Sequence, residues 1–163
     1  MNTYFFSTDF SIARGIIVEA PRTHLIQYNG SSIGNVVTGV DYRAQGYGTI
    51  DHHGGGGMTM RNLVENSKNL LGANASQGAR FNVFWNISAA QNDNINTEFL
   101  PRGYQRLPKS IFVGVNSASL PLYVTTVGNE ATETNNKWYY LENMNNRNIK
   151  IPSVYQAQLE LIE

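Results

Sequence analysis

The side chains best suited to chemistry sit together in residues 49–60, Thr-Ile-Asp-His-His-Gly-Gly-Gly-Gly-Met-Thr-Met. Carboxylate and neutral imidazole form a ligand set for zinc or iron. The only other histidine is His24. A metal centre would therefore draw on His24, Asp51, His52 and His53. Adjacent residues on a strand face opposite sides, so His52 and His53 share one ion only where the backbone turns between them. Their spacing matches neither HxH nor HExxH. The expectation is histidines that are solvated or hydrogen-bonded at a strand end, with no bound metal and no cofactor.

Gly54, Gly55, Gly56 and Gly57 raise a second possibility. A glycine-rich turn ahead of a helix can hold phosphate on its backbone amides. A phosphate-binding loop of that kind ends in Lys followed by Ser or Thr, whereas Met58-Thr59 follows here. The dinucleotide fingerprint fails too, because no strand–helix–strand unit surrounds the glycines. Four glycines suit a hinge, or a place where another chain's backbone comes close. Nucleophilic catalysis has no foothold either: there is no GxSxG elbow and no cysteine. The acids are few and scattered, so no glycosidase-type carboxylate pair stands out. The chain is not expected to be an enzyme.

Aromatic residues offer a different kind of site. Trp138, Tyr139 and Tyr140 adjoin on one candidate strand, and Phe99 and Tyr104 lie in a long irregular stretch. Rings beside amides suit sugar binding, and Tyr104, Trp138 and Tyr139 are the candidate glycan residues. The bland alternative has Trp138 and Tyr140 in the core and Tyr139 as a lone exposed ring. Rings also lead at protein interfaces. Tyr4, Phe5, Phe6 and Phe10 crowd the first ten residues, which read as a possible N-terminal arm packed on its own core or on a neighbour. With Gly54 to Gly57, Phe99 and Tyr104 they are the candidate interface residues.

Composition narrows the partners. The 163 residues carry 12 Lys plus Arg against 12 Asp plus Glu, for zero formal charge, and only 15% are charged. Such a chain lacks the basic footprint of a nucleic-acid or membrane-surface binder, and near-zero net charge favours association. Polarity comes from amides instead, with 20 asparagines. Asparagine tolerates left-handed backbone and bonds its own backbone in turns, so a turn-rich chain is expected. The first residues lack a basic segment and a long apolar run, so no signal peptide is expected. Nor does any apolar stretch reach the length of about 18 residues that a membrane span needs.

Period-two alternation dominates the elements that must position these residues. Arg80 to Ile87 is the clearest strand, with Phe81, Val83, Trp85 and Ile87 expected inward and Asn82 and Asn86 outward; Phe84 breaks the pattern. Further strands are expected over 12–18 with a bend at Gly15, and over 23–28, 36–42, 110–116, 121–127 and 137–141. The C-terminal run from Val154 also alternates and reads as a strand. One helix is expected over residues 59–71, from Met60, Leu63, Val64, Leu70 and Leu71, with Thr59 as N-cap and Gly72 at the end. Residues 89–109 read as a long loop. No fixed-period repeat is evident.

About eight strands and one inserted helix predict a mainly β, antiparallel β-sandwich of jelly-roll type, as a single domain over residues 1–163. The functional expectation is a structural subunit that associates with copies of itself or other structural proteins, such as a capsid, spike or tail component located in a virion. A carbohydrate-binding module on the same fold is the alternative, and a small metal-dependent enzyme using the histidines is a third.

Overall fold

The computed structural model describes residues 3–19, 26–43, 49–53, 59–70, 72–75, 81–89, 110–117, 139–143 and 148–162. Strand β1 (Thr3–Phe6) leads to β2 (Ile12–Arg14) and β3 (Ile17–Val18). The same order recurs in β4 (Ile26–Asn29), β5 (Val36–Thr38) and β6 (Asp41–Tyr42). It recurs again, with the last two strands fused, in β7 (Thr49–His53) and β8 (Leu63–Leu70), then in β9 (Gly72–Ala75) and β10 (Val83–Ala89). Strands β11 (Ser110–Val113), β12 (Asn116–Ser117) and β13 (Tyr139–Glu142) continue the stack, and helix α1 (Val154–Glu160) follows.

Equivalent strands of successive turns pair side by side. One sheet runs β1-β4-β7-β9 and the other β2-β5-β8-β10-β11-β13, extended by β3, β6 and β12. Every described ladder is parallel. The chain is thus mainly β as expected, but it winds as a parallel β-solenoid instead of folding as an antiparallel sandwich. Alternation reports which residues share a face; it says nothing about strand direction. From β2 to β10, each crossover between neighbouring parallel strands carries a strand of the other sheet, β4, β7 or β9, in place of the usual helix.

A buried row of amides fixes the stacking. Ser11 donates its N–H to Asn35 Oδ1 at 3.0 Å, and Asn35 donates N–H and Nδ2 to Asn62 Oδ1, both at 3.0 Å. Asn62 donates the same two groups to Asn82 Oδ1 at 3.1 Å, and Asn82 N–H reaches Ser110 Oγ at 3.1 Å. Each Nδ2 also finds a backbone carbonyl: Asn35 that of Thr8, Asn62 that of Ser32 and Asn82 that of Thr59. The three asparagines are fully buried. A buried amide is tolerable only when its donors and acceptors are met, and a stack of identical amides meets them reciprocally.

Around this row lies a five-residue pattern: Ser11-Ile-Ala-Arg-Gly15, Asn35-Val-Val-Thr-Gly39, Asn62-Leu-Val-Glu-Asn66, Asn82-Val-Phe-Trp-Asn86 and Ser110-Ile-Phe-Val-Gly114. The first position is the amide row and the third faces the core. The fifth turns the corner with positive φ, at Gly15, Gly39, Asn66, Asn86 and Gly114, and again at Asn143. Asparagine and glycine are the residues that accept this conformation at least cost. The repeat escapes a fixed-period search because its steps are 24, 27, 20 and 28 residues.

The third column lies in the core, together with Ile26, Tyr28, Val40, Ile87 and Val115. Val37, Val64, Phe84 and Phe112 are fully buried, and the Phe84 and Phe112 rings stack with centroids 4.7 Å apart. The expected facing of residues 80–87 is therefore reversed at most positions. Phe84 and Asn82 point inward, Val83 and Trp85 are half-exposed, and only past the corner at Asn86 does Ile87 turn inside.

The expected helix over 59–71 is also corrected, since Leu63–Leu70 is strand β8. Parallel neighbours on both sides supply its backbone partners, and these outweigh a helical spacing of leucines. Thr59 caps no helix; its hydroxyl donates to the Gly30 carbonyl at 3.0 Å. Conversely, the C-terminal run expected as a strand is helix α1. Ser153 Oγ accepts from Gln156 N–H at 3.0 Å, the capping geometry that the Ser-x-x-Gln spacing encodes.

Candidate interaction surface

The second position of the five-residue pattern faces outward. Register places Ile12, Val36, Leu63, Val83, Ile111 and Tyr140 in one column across β2, β5, β8, β10, β11 and β13. Ile12 is 51% exposed and Tyr140 55%; the four between are half-buried. No charged residue interrupts the column. An outward row of apolar side chains along a sheet is costly in water and is characteristic of an interaction surface. Phe10, 83% exposed, extends the apolar surface at the first coil. Its ring lies over Gly34, where an added Cβ would come within 2.9 Å of it.

The fourth column runs Arg14, Thr38, Glu65, Trp85, Val113 and Glu142, and the C-terminal segment crosses it. Trp85 Nε1 donates to the Ile151 carbonyl at 2.7 Å, and Asn86 Nδ2 to that of Pro152 at 3.1 Å. An added Cβ at Gly114 would lie 2.9 Å from Ile149. Glu65, fully buried, anchors the crossing. One carboxylate oxygen accepts from Thr38 Oγ1 at 3.1 Å and Ser153 Oγ at 2.6 Å. The other accepts from the Val154 and Tyr155 amides at 2.7 and 3.2 Å. Those amides open α1, where the first N–H groups lack partners within the helix.

Burial pushes the Tyr28 and Tyr42 hydroxyls above the ordinary tyrosine range. The Tyr140 hydroxyl is raised too, first by its hydrogen bond to Glu142 and then by that carboxylate's charge. All three stay neutral at physiological pH. Among the described residues, no three His, Asp or Glu side chains converge as metal ligands, and no helix is long and apolar enough to cross a membrane.

Apart from Phe10, the described sequence-derived candidates lie on β1, β7 and β13. Tyr4, Phe5 and Phe6 lie on β1, in register with Gln27, Tyr28 and Asn29 of β4. His52 occupies the column of the buried Tyr28, whereas Asp51 and His53 occupy those of Gln27 and Asn29; the adjacent histidines take alternate columns. Tyr139 is in register with Ser110. Tyr140, which the bland alternative places in the core, is exposed, and its hydroxyl donates to Glu142. His24, Gly54, Gly55, Gly56, Gly57, Phe99, Tyr104 and Trp138 lie outside the described residues, as do most of the long loop and the strand expected over 121–127. The apolar column and the Glu65 anchor have no counterpart among the sequence-derived candidates. The signal of the column is the residue directly after Ser11, Asn35, Asn62, Asn82 and Ser110, which is apolar each time; Glu65 carries no such signal.

No protein-family model matches this chain, and neither does any curated protein or solved structure.

Proposed function

We propose that the chain is a non-enzymatic structural subunit, a stiff stack of parallel coils that associates with other copies of itself, as a spike or tail component of a virion would. The outward apolar column from Ile12 to Tyr140 is the observation that carries this reading. The part of that column still exposed after folding would be removed from water by contact with another chain, at about 25 cal/mol per Å² of apolar surface. Charge balance and the small charged fraction favour such contact. Repeated coils also supply the long, regular surfaces on which solenoid proteins bind.

Sedimentation equilibrium of the intact chain tests the reading. The expected mass is a multiple of 18.1 kDa, falling towards the single-chain value when Val83 is replaced by Arg. A single-chain mass at every concentration would refute it.

Carbohydrate binding is a second reading, favoured by one feature. The Tyr140 ring is exposed beside the Glu142 carboxylate and the Asn143 amide, which lie within hydrogen-bonding reach of one another. Rings that stack on sugar faces beside groups that bond hydroxyls are the chemistry this reading needs.

A further inference from the structure

The outward face of the long sheet carries two columns, because the second and fourth positions of a strand point the same way. The two differ in cover. No residue of the second column is fully buried, whereas in the middle of the fourth Glu65 is fully buried and Val113 is 2% exposed. Residues 148–162 run back along the stack over that middle. Ile149 lies over Gly114, the Ile151 and Pro152 carbonyls meet Trp85 and Asn86, and Ser153 meets Glu65, which also holds Thr38. The segment is nevertheless held at points. None of its residues is fully buried, and none belongs to a described ladder. Its principal catch is the Glu65 carboxylate, which accepts from Ser153 Oγ and from the Val154 and Tyr155 amides. A segment with few buried apolar contacts opens at a lower free energy than the ladders and core beneath it.

We infer that residues 148–162 are a releasable strap that keeps the fourth column out of association, so that the closed chain offers only the second. This deepens the self-association reading above and rests on it for the identity of the partner, a second copy. While the strap is closed, the Trp85 indole N–H is committed to the Ile151 carbonyl and strap backbone lies between that ring and a neighbouring chain. Release returns Trp85 to the face beside Val83, two residues away on β10. The two columns then merge into one wider apolar contact at the middle of the stack, continuous with the surface already exposed from Ile12 to Tyr140. Tryptophan is prominent among the residues that dominate interface energies. Glu65 is the positioning residue of this device: it touches no partner, and its bonds set whether the strap lies across the face or leaves it.

Ser153→Ala combined with Val154→Pro tests the strap in the full chain, because both changes lie on the strap and the covered face keeps its own residues. Alanine removes the hydroxyl that reaches Glu65. Proline is compatible with the first position of a helix but removes the Val154 N–H. Hydrogen exchange read by mass spectrometry is expected to quicken about tenfold or more across residues 149–162, while β8 and β10 exchange as before. Sedimentation equilibrium is expected to show association about five- to tenfold tighter, the scale of one well-buried interface residue. Faster exchange in the strap with unchanged or weaker association would overturn the inference and leave the second-column contact standing. Faster exchange throughout the coils, or none in the strap, would make the segment an integral part of the stack and overturn it as well. If the unmodified chain stays single and only the variant associates, the strap stands and the reading of the closed chain as self-associating falls. If neither associates, both fall.

Discussion

Phe84→Ala is expected to cost the fold about 3–5 kcal/mol, the range for truncating a fully buried aromatic ring. Phe84 lies in the inward column between Val64 and Phe112, is fully buried, and stacks on Phe112 at 4.7 Å. Its removal takes away apolar contact, leaves a cavity between two coils and ends the ring stack, itself worth about 0.5–1.5 kcal/mol. Stacked coils cannot easily collapse into the gap, because the amide row and the corner residues on either side fix their spacing. Urea unfolding monitored by circular dichroism measures the cost. A loss below about 1 kcal/mol would mean that the ring is not in the core, as the simple alternation of residues 80–87 would have it.

Asn62→Ala is expected to cost about 3 kcal/mol, for a different reason. Asn62 is the middle of the amide row, and its Oδ1 accepts from both the N–H and the Nδ2 of Asn35. Alanine leaves those two donors facing an apolar methyl group. It also deprives the Ser32 carbonyl and Asn82 Oδ1 of the Nδ2 they share. Each buried polar group stranded in this way costs about 1–3 kcal/mol, partly offset by relaxation and by any water that enters. Asn62→Asp separates shape from hydrogen bonding: it keeps the acceptor for Asn35 but loses the donor to Ser32 and Asn82, so a large part of the loss should persist. The same urea titration reads both variants. If Asn62→Ala unfolds at the unmodified midpoint, the amide row is not a source of stability.

These two residues also show where sequence reasoning succeeds and where it fails. Strand content is legible: bends at Gly15 and Gly30, and the β character of 36–42 and 110–116, follow from residue type and turn chemistry alone. Strand direction is not. An alternating segment looks the same whether its neighbour runs with it or against it, and the choice depends on contacts 20 to 28 residues away along the chain. The inward face of β10 is misjudged because asparagine is ordinarily a solvated residue. In a solenoid it becomes an interior residue, since the next coil brings an identical amide at the spacing of a sheet. That signal lay in the recurrence of Ser or Asn, two apolar-leaning positions, then Gly or Asn four residues on, at unequal intervals. Strand β8 reads as a helix for a related reason: Asn62 and Asn66 look like solvated positions, and the leucines then fall at helical spacing. The C-terminal helix was legible in principle, because Ser153 and Gln156 stand at capping distance; Tyr155, Ala157, Leu159 and Leu161 happen also to fit a period of two.

For the site the lesson is similar. The histidines and glycines at 51–57 draw the eye because their side chains are reactive or unusual. The surface that the fold assembles is made of Ile12, Val36, Leu63, Val83, Ile111 and Tyr140, each unremarkable alone. Only register puts them in one line, and only the buried Glu65 reveals that the C-terminal segment is held at a fixed angle to it.

Parallel register underlies every one of these surfaces, and engineered disulfides test it directly. The chain has no cysteine of its own, so any bond formed belongs to the introduced pair. Val36→Cys with Leu63→Cys places two thiols on the same outward column of neighbouring strands, within the Cα separation of about 4.4–6.8 Å that a disulfide spans. This pair is expected to oxidise readily within one chain. Val36→Cys with Val64→Cys puts them on opposite faces and is expected to remain reduced. Equal oxidation of both pairs, or bonding of the second alone, would contradict coils stacked in parallel.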